Sequence, residues 1–354
     1  MNQQIIVISW SHHKIPLSVR DELSISRNEI QECIHLLLDK NQILELAVLS
    51  TCNRIEYYAL AGNSVYVLTA IKNLYANLLK RNIPWHQAAP EIYVGIEAVQ
   101  HLCRVAVGME SIILGENQIL SQVKRVQHTL LKSQPGAEII NQLFNDTIKC
   151  AETIRNDIPI SLGPSSISEL AVITALKIYD DLKQRKVLII GSGETADLTA
   201  RYFIASGVNQ VFISNRSEKR GRALAEAISG EFINLHHIND ILYDCDVIVT
   251  ATHARNYLIS RDQIDNIMKR KKEKFLLLDL STPRNIDPSA HDINNVCIYD
   301  LDHLDAISSI NREKNQESLS NAEIIVKNYS RKWMEWFQLK DLKDKELELI
   351  EETD

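Results

Sequence analysis

Hydrophobic and polar positions divide the chain into two regions of different pattern and a polar end. The first region opens with the strand-like run IIVISW (5–10), and two more such runs follow at 44–51 and 55–60. Between the first two, HHKIPLSV (12–19) predicts a loop, and Ser26 with Glu29 predicts a capping box that begins a helix. Beyond residue 100, apolar residues recur every three or four positions, which indicates helices. The first region is therefore predicted to be α+β.

The second region alternates regularly between apolar strands and amphipathic helices. A helix from about residue 165 precedes the strand KVLII (186–190), after which helices and strands alternate. The later strands are predicted as QVFIS, EFINL, DVIVTAT, KFLLLDL and CIYDL. Continuous apolar strands between amphipathic helices indicate a parallel sheet that is covered on both faces.

The pattern predicts a multidomain α/β protein with three consecutive parts. We expect an N-terminal α+β catalytic or substrate domain over 1–158, a Rossmann-type NADP-binding domain over 159–305, and a short C-terminal helical segment over 306–354. In that segment an apolar seam with spacings of 4, 3, 4 and 3 is expected from Ala322, Val326, Tyr329, Trp333 and Trp336. Residues 340–354 carry 3 lysines and 7 acidic residues and are expected to be frayed or disordered.

Composition excludes several classes of protein. Among 354 residues 45% are hydrophobic and 24% are charged, which is typical of a globular protein and not of a disordered or collagenous chain. The apolar runs are too short for a membrane-spanning helix and the first residues do not resemble a secretory signal, so a cytoplasmic location is expected. The formal net charge of −7 requires any contact with nucleic acid to rest on local patches. The 6 cysteines form no C-x-x-C pair, so no metal cluster and no disulfide framework is expected.

A glycine-rich turn follows the strand KVLII. The sequence GSGETA (191–196) has the form G-x-G-x-x-A and leads into a predicted helix. The first glycine permits the tight turn, the second allows a pyrophosphate to approach the backbone, and the small third residue allows close packing. A purely structural turn is the alternative. The predicted cofactor-binding residues of this turn are Gly191, Ser192, Gly193, Glu194, Thr195 and Ala196.

The next strand ends in Asn215 and Arg216, about 20 residues further on. An NAD-selective site places an acidic residue at this point, whereas Arg216 with Lys219 and Arg220 behind it suits a 2′-phosphate. The alternative is that these are ordinary exposed cations at the start of a helix. The sequence therefore favours NADPH over NADH, with Asn215 and Arg216 as cofactor-binding residues.

Cys52 stands at the end of an apolar strand, next to Asn53 and Arg54. A neighbouring cation favours the thiolate, and the end of a strand exposes it. Because buried structural cysteines are common, this position alone leaves a nucleophile and a structural residue both open. The other cysteines lie in apolar or amphipathic stretches and are expected in the core: Cys33, Cys103, Cys150, Cys245 and Cys297.

Four segments resemble motifs of the glutamyl-tRNA reductases. STCNRIEYY (50–58) is similar to the signature T/S-C-N-R-x-E, and SHHKIPLSVRDE (11–22) is similar to H-K-x-x-P-x-x-x-R-E. The block 108–124, GMESIILGENQILSQVK, resembles G-x-x-S-x-x-x-G-E-P-Q-I-L-x-Q-V-K, and LDLSTPRNIDP (278–288) resembles D-x-x-x-P-R-x-I-D-P. Together with His101, these segments extend from the start of the chain to about residue 305 in the family's order.

The resemblance implies reduction of glutamyl-tRNA(Glu) to glutamate-1-semialdehyde with NADPH, the first step of 5-aminolevulinate and porphyrin biosynthesis by the five-carbon route. It implies that Cys52 is a nucleophile forming a thioester, that Arg54 clamps the substrate carboxylate, and that His101 donates a proton to the departing ribose oxygen. Without the resemblance, His101 is an ordinary helix histidine. The other implied substrate-binding residues are Thr51, Asn53, Ser111, Glu116, Asn117, Gln118 and Gln122.

Two departures from the family pattern leave alternatives open. Asn117 replaces the proline of G-E-P-Q, and about 49 residues follow the α/β domain where the family has a long helical dimerisation domain. The resemblance thus implies a homodimer weakened by the shortened C-terminal region, with the downstream aminomutase as a partner. The alternatives are a truncated non-catalytic paralogue that binds glutamyl-tRNA or a pathway partner, and an NADP enzyme of the shikimate dehydrogenase type.

Overall fold

A computed structural model describes residues 3–38, 42–160, 163–313 and 315–351. In chain order the elements are β1 (Gln4–Ser11), α1 (Leu17–Leu23), α2 (Arg27–Leu38), β2 (Ile43–Ser50), β3 (Arg54–Ala61), α3 (Ser64–Asn77), β4 (Glu91–Val94), α4 (Ile96–Val107), α5 (Asn117–Ser133), α6 (Glu138–Asp157), α7 (Ile167–Tyr179), β5 (Lys186–Ile190), α8 (Glu194–Ala205), β6 (Gln210–Asn215), α9 (Glu218–Ala227), β7 (Glu231–Asn234), α10 (Ile238–Leu242), β8 (Val247–Thr250), α11 (Arg261–Met268), β9 (Phe275–Asp279), β10 (Val296–Asp300), α12 (Leu301–Glu313) and α13 (Gln316–Glu351).

These elements form two compact units that are not contiguous in sequence. The first contains the described residues of 1–15, 25–162 and 311–354, and the second contains those of 16–24 and 163–310. None of the described helices is long and apolar enough to cross a membrane.

The first unit is built on an antiparallel sheet with the strand order β2-β3-β1-β4. Val7 pairs with Tyr58 across β1 and β3, and both are fully buried. One face of the sheet packs on a core shared by α4, α5, α6 and α13, while α2 and α3 contact β2 and β1. Because both faces are covered, β3 is buried along its whole length. The predicted α+β character of this region is confirmed.

The second unit contains a parallel sheet with the strand order β10-β9-β8-β5-β6-β7. The chain runs outward from β5 through β6 to β7, then returns to the other side of β5 and continues through β8 and β9 to β10. The point where the strand order reverses therefore lies between β5 and β8, and ligands of such sheets bind beyond the carboxyl ends of the strands there. The predicted doubly wound Rossmann-type fold is confirmed.

Helix α1 corrects the loop predicted over residues 12–19. It is too short to show a helical period in the sequence, and tertiary contacts hold it within the second unit. Arg20 forms an ion pair with Asp302, and the Arg284 backbone N–H and Nε donate to Asp21 at 3.1 and 2.9 Å. Ion pairs and the burial of Leu17, Val19 and Leu23 thus stabilise a helix that propensity alone does not predict.

Helix α13 differs from the prediction in its seam and in its length. Val326 and Trp333 are buried as predicted, but Phe337 is buried where Trp336 was expected, and Trp336 is 36% exposed. A helix lying on a globular core continues its contacts at the fourth residue, which favours position 337 over 336. Residues 340–351 continue the helix, so the expected fraying is wrong there, and residues 352–354 lie outside the described part of the chain.

Candidate active site

Cys52 lies in the turn that joins β2 to β3. The Thr51 hydroxyl accepts the backbone N–H groups of Asn53 and Arg54, both at 3.1 Å, and Thr51 N donates to Arg54 O at 2.9 Å. A threonine hydroxyl that caps its own turn in this way fixes the local backbone. The Cys52 side chain is half-buried and forms no disulfide. The turn thus places the thiol at the end of a strand, as the sequence predicts.

Glu56 is the centre of a buried cluster of charges. Its carboxylate accepts hydrogen bonds from Arg54 Nη1 and Ser9 Oγ, both at 2.8 Å, and lies 2.9 Å from Nε2 of His101. The Tyr58 hydroxyl also donates to it. Ser9, Arg54, Glu56 and Tyr58 come from the paired strands β1 and β3, whereas His101 comes from α4. The antiparallel pairing therefore brings together groups that are far apart in sequence.

The cluster contains the cations Arg54 and His101 and the anion Glu56, and all three side chains are buried. Burial raises the pKa of Glu56, but Arg54 and His101 outweigh it and hold that pKa well below its usual range. Burial lowers the pKa of His101, but Glu56 and Glu110 outweigh it and raise the pKa to about 9. The pKa of Arg54 is likewise raised by Glu56 and Glu110 against its burial. His101 is therefore an imidazolium near neutral pH.

Glu110 completes the cluster from the turn after α4. Its Oε1 lies 3.4 Å from Nδ1 of His101, its Oε2 lies 4.0 Å from Nη1 of Arg54, and its backbone carbonyl accepts Arg54 Nη2. The turn begins at Gly108, which has φ +86° and caps the end of α4. Burial raises the pKa of Glu110, but His101 and Arg54 outweigh it, so the carboxyl is ionised. The Tyr93 ring stacks on His101 with centroids 4.1 Å apart.

His101 is thus enclosed on all sides. Its side chain is 0% exposed, and each ring nitrogen faces a carboxylate. This burial does not favour the direct proton transfer to a ribose oxygen that the family resemblance implies. The geometry favours a positioning role, in which the imidazolium holds Glu56 in place through the 2.9 Å contact of Nε2.

Ser111 and Glu116 follow in the same turn. The Ser111 hydroxyl bonds to the Glu116 carboxyl, and burial raises the pKa of Glu116 to about 7 against the opposing effects of Ser111, Arg54 and Arg155. Arg155 Nη2 donates to the Glu116 carbonyl at 2.6 Å, and its Nη1 donates to Asn117 Oδ1 at 2.7 Å. Arg155 therefore holds the start of α5, and the Asn117 side chain takes part in that contact.

Three predicted substrate-binding residues keep polar groups available. Gln118 and Gln122 lie one turn apart on α5, half-buried, and their side chains form no hydrogen bond among the described residues. Asn53 is buried, and within the described part of the chain its Oδ1 has no hydrogen-bond partner. A buried polar atom without a partner costs free energy, which a ligand donor would recover.

In the second unit the glycine loop joins β5 to α8. Gly191 has φ +135°, and a Cβ there would lie 2.3 Å from the Ala251 carbonyl oxygen, so this position requires glycine. A Cβ at Gly193 would meet nothing within 4 Å, and this residue is exposed as the N-cap of α8. Open backbone before a helix N-terminus is what a pyrophosphate requires. Ala196 is fully buried beneath the loop.

The end of β6 lies beside the glycine loop. Gly191 N donates to Ser214 O at 2.8 Å, which places Asn215 next to the loop. Ser192 and Thr195 are half-buried and Glu194 is exposed. Arg216 is exposed, and among the described residues neither it nor Lys219 or Arg220 forms an ion pair.

The segment after β9 is held by a single buried carboxylate. Asp279 accepts the Thr250 hydroxyl at 2.7 Å and the backbone N–H groups of Ser281, Asn285 and Ile286 at 3.1, 2.7 and 2.9 Å. Burial raises the pKa of Asp279 to about 6 against these hydrogen bonds. Because this segment lies at the carboxyl edge of the sheet, the D-x-x-x-P-R-x-I-D-P motif shapes the border of the nucleotide site.

Sequence reasoning missed two charged members of the buried cluster, Glu56 and Glu110. Both stand inside motif segments noted above, Glu56 as the final residue of C-N-R-x-E and Glu110 one residue before Ser111. The motif could have drawn attention to Glu56, whereas nothing in the sequence shows that Glu110 faces Arg54.

In the described part of the chain, no group of three or more His, Cys, Asp or Glu residues is arranged to hold a metal ion.

Fold and site together define a dehydrogenase-type nucleotide-binding domain joined to a separate domain with a cysteine and buried charges. Comparison with known proteins specifies this class further. The family model "Glutamyl-tRNAGlu reductase, N-terminal domain" matches residues 8–158, and "Shikimate / quinate 5-dehydrogenase" matches residues 173–307. The chain belongs to the glutamyl-tRNA reductase family, a family of enzymes, as the four motifs indicate.

The relatives match most of the chain. The glutamyl-tRNA reductase of Geotalea daltonii is 30% identical over 335 residues, which cover 94% of this chain and 77% of the relative. That of Thermodesulfovibrio yellowstonii is 30% identical over 340 residues, covering 94% and 79%. The solved structure of the glutamyl-tRNA reductase from Methanopyrus kandleri covers 97% of this chain and 82% of its own, with 24% identity and a TM-score of 0.52. This last similarity supports the fold alone.

Proposed function

We propose that the protein reduces glutamyl-tRNA(Glu) to glutamate-1-semialdehyde with NADPH through a thioester on Cys52. This reaction opens the five-carbon route to 5-aminolevulinate and porphyrins. The observation that carries the proposal is the turn at Cys52, which presents a half-buried thiol two residues before the buried cation Arg54. Relatives named as glutamyl-tRNA reductases support the choice of substrate.

In the first step the Cys52 thiolate attacks the ester carbonyl carbon. A carbon–sulfur bond forms, the carbon–oxygen bond to the ribose breaks, and the ribose oxygen takes up a proton from solvent as tRNA leaves. Arg54, two residues after Cys52, attracts the glutamyl carboxylate. The orphan Oδ1 of Asn53 and the side chains of Gln118 and Gln122 can receive the polar groups of the substrate. A thioester accepts hydride more readily than an oxygen ester, so the covalent step lowers the later barrier.

The residues of the second unit fit NADPH. Gly193 leaves backbone open at the start of α8 for the pyrophosphate, and Ala196 allows the close packing beneath it. Asn215 stands where an acidic residue would repel a 2′-phosphate, and Arg216 is exposed beside it. When bound there, the cofactor supplies the hydride for the reduction. The choice of NADPH over NADH rests on Arg216 and its neighbours.

Two alternatives have less support. An enzyme of the shikimate dehydrogenase type accounts for residues 173–307 but gives no role to the first unit, which matches a glutamyl-tRNA reductase model. A non-catalytic paralogue has no need of both a half-buried thiol at the end of a strand and a nucleotide loop. A cytoplasmic location, a homodimer and an aminomutase partner stay predictions.

A turnover assay tests the proposal. We expect the full chain to oxidise NADPH, followed at 340 nm, with glutamyl-tRNA and not with shikimate. Cys52→Ser should abolish turnover and leave NADPH binding intact. Cys297→Ser is the matched control, because Cys297 is also half-buried but lies in β10 outside both sites. Turnover of more than a few per cent by Cys52→Ser contradicts the thioester.

A further inference from the structure

The cation proposed to receive the substrate carboxylate is already covered by a carboxylate of the protein. The Arg54 side chain is 1% exposed and that of His101 is 0% exposed, whereas that of Glu110 is 19% exposed. Glu110 is thus the member of the cluster that faces the outside, and its two oxygens face the two cations. An incoming carboxylate meets Glu110 before it can meet Arg54.

Charge balance leads to the same conclusion. Two cations, Arg54 and His101, face two carboxylates, Glu56 and Glu110. A third carboxylate placed next to Arg54 would leave a buried excess of negative charge, which costs several kcal/mol in a protein interior. Glu56 cannot make room, because it is fully buried and accepts four hydrogen bonds at the centre of the cluster.

The contacts of Glu110 allow its side chain to leave. The hydrogen bond from Arg54 Nη2 ends on the Glu110 backbone carbonyl and not on the carboxylate. The carboxylate itself is held by longer contacts of 3.4 and 4.0 Å, and Nδ1 of His101 has no well-aligned hydrogen bond in the described part of the chain. Rotation of the side chain toward solvent therefore leaves the backbone contact in place.

We propose that the Glu110 carboxylate is an internal substitute for the substrate, and that the γ-carboxylate of the glutamyl group displaces it to lie between Arg54 and His101. The proposal rests on the function proposed above and extends it. Glu110 then sets specificity, since a side chain without a negative charge has no means to replace it. Until an acidic substrate arrives, the Glu110 carboxylate neutralises the buried cations together with Glu56.

Binding of two unreactive amides tests the exchange. L-Glutamic acid α-amide carries the γ-carboxylate, and L-glutamine α-amide carries a neutral amide in its place, while their α-amino groups are the same. Glu110→Gln removes the internal competitor, so the dissociation constant of the glutamic acid amide, measured by titration calorimetry with the full chain, should fall about fivefold or more. The constant for the glutamine amide should change less than about twofold.

Matched variants make the result specific. Glu152→Gln removes a carboxylate that pairs with Lys124 on the surface of the same unit and is not part of the cluster, and it should change neither constant. Glu110→Asp keeps the negative charge on a side chain that is shorter by one methylene group. The dissociation constant of the glutamic acid amide should therefore fall, but by less than in Glu110→Gln. This variant tests the proposal even if Glu110→Gln fails to fold.

An unchanged or weaker affinity of Glu110→Gln for the glutamic acid amide would overturn the exchange. Equal weakening for both amides would assign Glu110 to the α-ammonium group instead, and would overturn it as well. NADPH oxidation by the unsubstituted chain tests the proposed function separately. Turnover without a shift in the amide constants would contradict the exchange alone, and a shift without turnover would contradict the reaction alone.

Discussion

The two candidate sites use charge in opposite ways. In the first unit the charges are buried and matched, with Glu56 bonded to Arg54, His101, Tyr58 and Ser9. In the second unit the cation expected to meet a ligand, Arg216, is exposed, and the glycine loop leaves open backbone at the start of α8.

The difference follows from what each site must recognise. A small acidic group is distinguished from a neutral one most strongly where water is excluded, because charges interact more strongly there. A dinucleotide is long, and backbone groups with one cation at the rim suffice to bind its phosphates. We therefore expect substitutions in the first unit to affect folding and selectivity together, and those in the second to affect cofactor binding with smaller effects on folding.

The largest effect is expected for Glu56→Ala. The substitution leaves Arg54 and His101 buried without their shared carboxylate, which should lower the free energy of unfolding by about 3–5 kcal/mol. Urea unfolding measures this. Glu152→Ala is the control, because Glu152 pairs with Lys124 on the surface and should cost less than about 1 kcal/mol. Equal losses in the two variants would mean that the cluster is not a buried charge centre.

Gly191→Ala should lower the stability of the protein, whereas Gly193→Ala should weaken the binding of NADPH. The added Cβ at Gly191 meets the Ala251 carbonyl at 2.3 Å and the residue has φ +135°, so we expect a loss of about 2–3 kcal/mol in stability. Gly193→Ala meets no atom within 4 Å and should fold normally while binding NADPH more weakly. Thermal unfolding and a fluorescence titration with NADPH separate the two effects. Normal stability of Gly191→Ala would contradict the close contact described.

The pH dependence of stability tests the imidazolium of His101. Its pKa is raised from 6.5 to about 9 in the folded protein, so its contribution is fully present below about pH 6.5 and is lost as pH rises toward 9. The free energy of unfolding of the unsubstituted chain should therefore fall by about 2 kcal/mol more than that of His101→Gln between pH 6.5 and 9. Parallel curves for the two proteins would show that His101 is neutral when folded.

The smallest effect is expected at the rim of the nucleotide site. Arg216→Ala should reduce the preference for NADPH over NADH by about tenfold, or about 1.4 kcal/mol, because it removes one exposed cation. The ratio of kcat/KM values for the two cofactors measures the preference. An unchanged ratio would remove Arg216 from the 2′-phosphate site.

The features that could be predicted from the sequence are those that depend on the local pattern of apolar and polar residues. The parallel sheet follows from continuous apolar strands, and the position of Cys52 follows from the end of one strand. Helix α1 was missed because ion pairs to Arg284 and Asp302, more than 260 residues away, stabilise it. Glu110 was missed for the same reason, since its role depends on meeting Arg54 across the fold. Trp336 was wrongly expected in the core because a one-residue difference in helix phase decides whether position 336 or position 337 is buried, and Phe337 is the buried residue.

The central claim is that Cys52 cleaves the ester and that the glycine loop serves only the later reduction. Deacylated tRNA and aldehyde, measured side by side with glutamyl-tRNA, test it directly. Without NADPH the unsubstituted chain should release deacylated tRNA and free glutamate slowly, because water then hydrolyses the thioester. Gly193→Leu should behave in this way even with NADPH present, whereas Cys52→Ser should lose both activities. If Gly193→Leu loses ester cleavage as completely as Cys52→Ser does, the account of two separate steps is wrong.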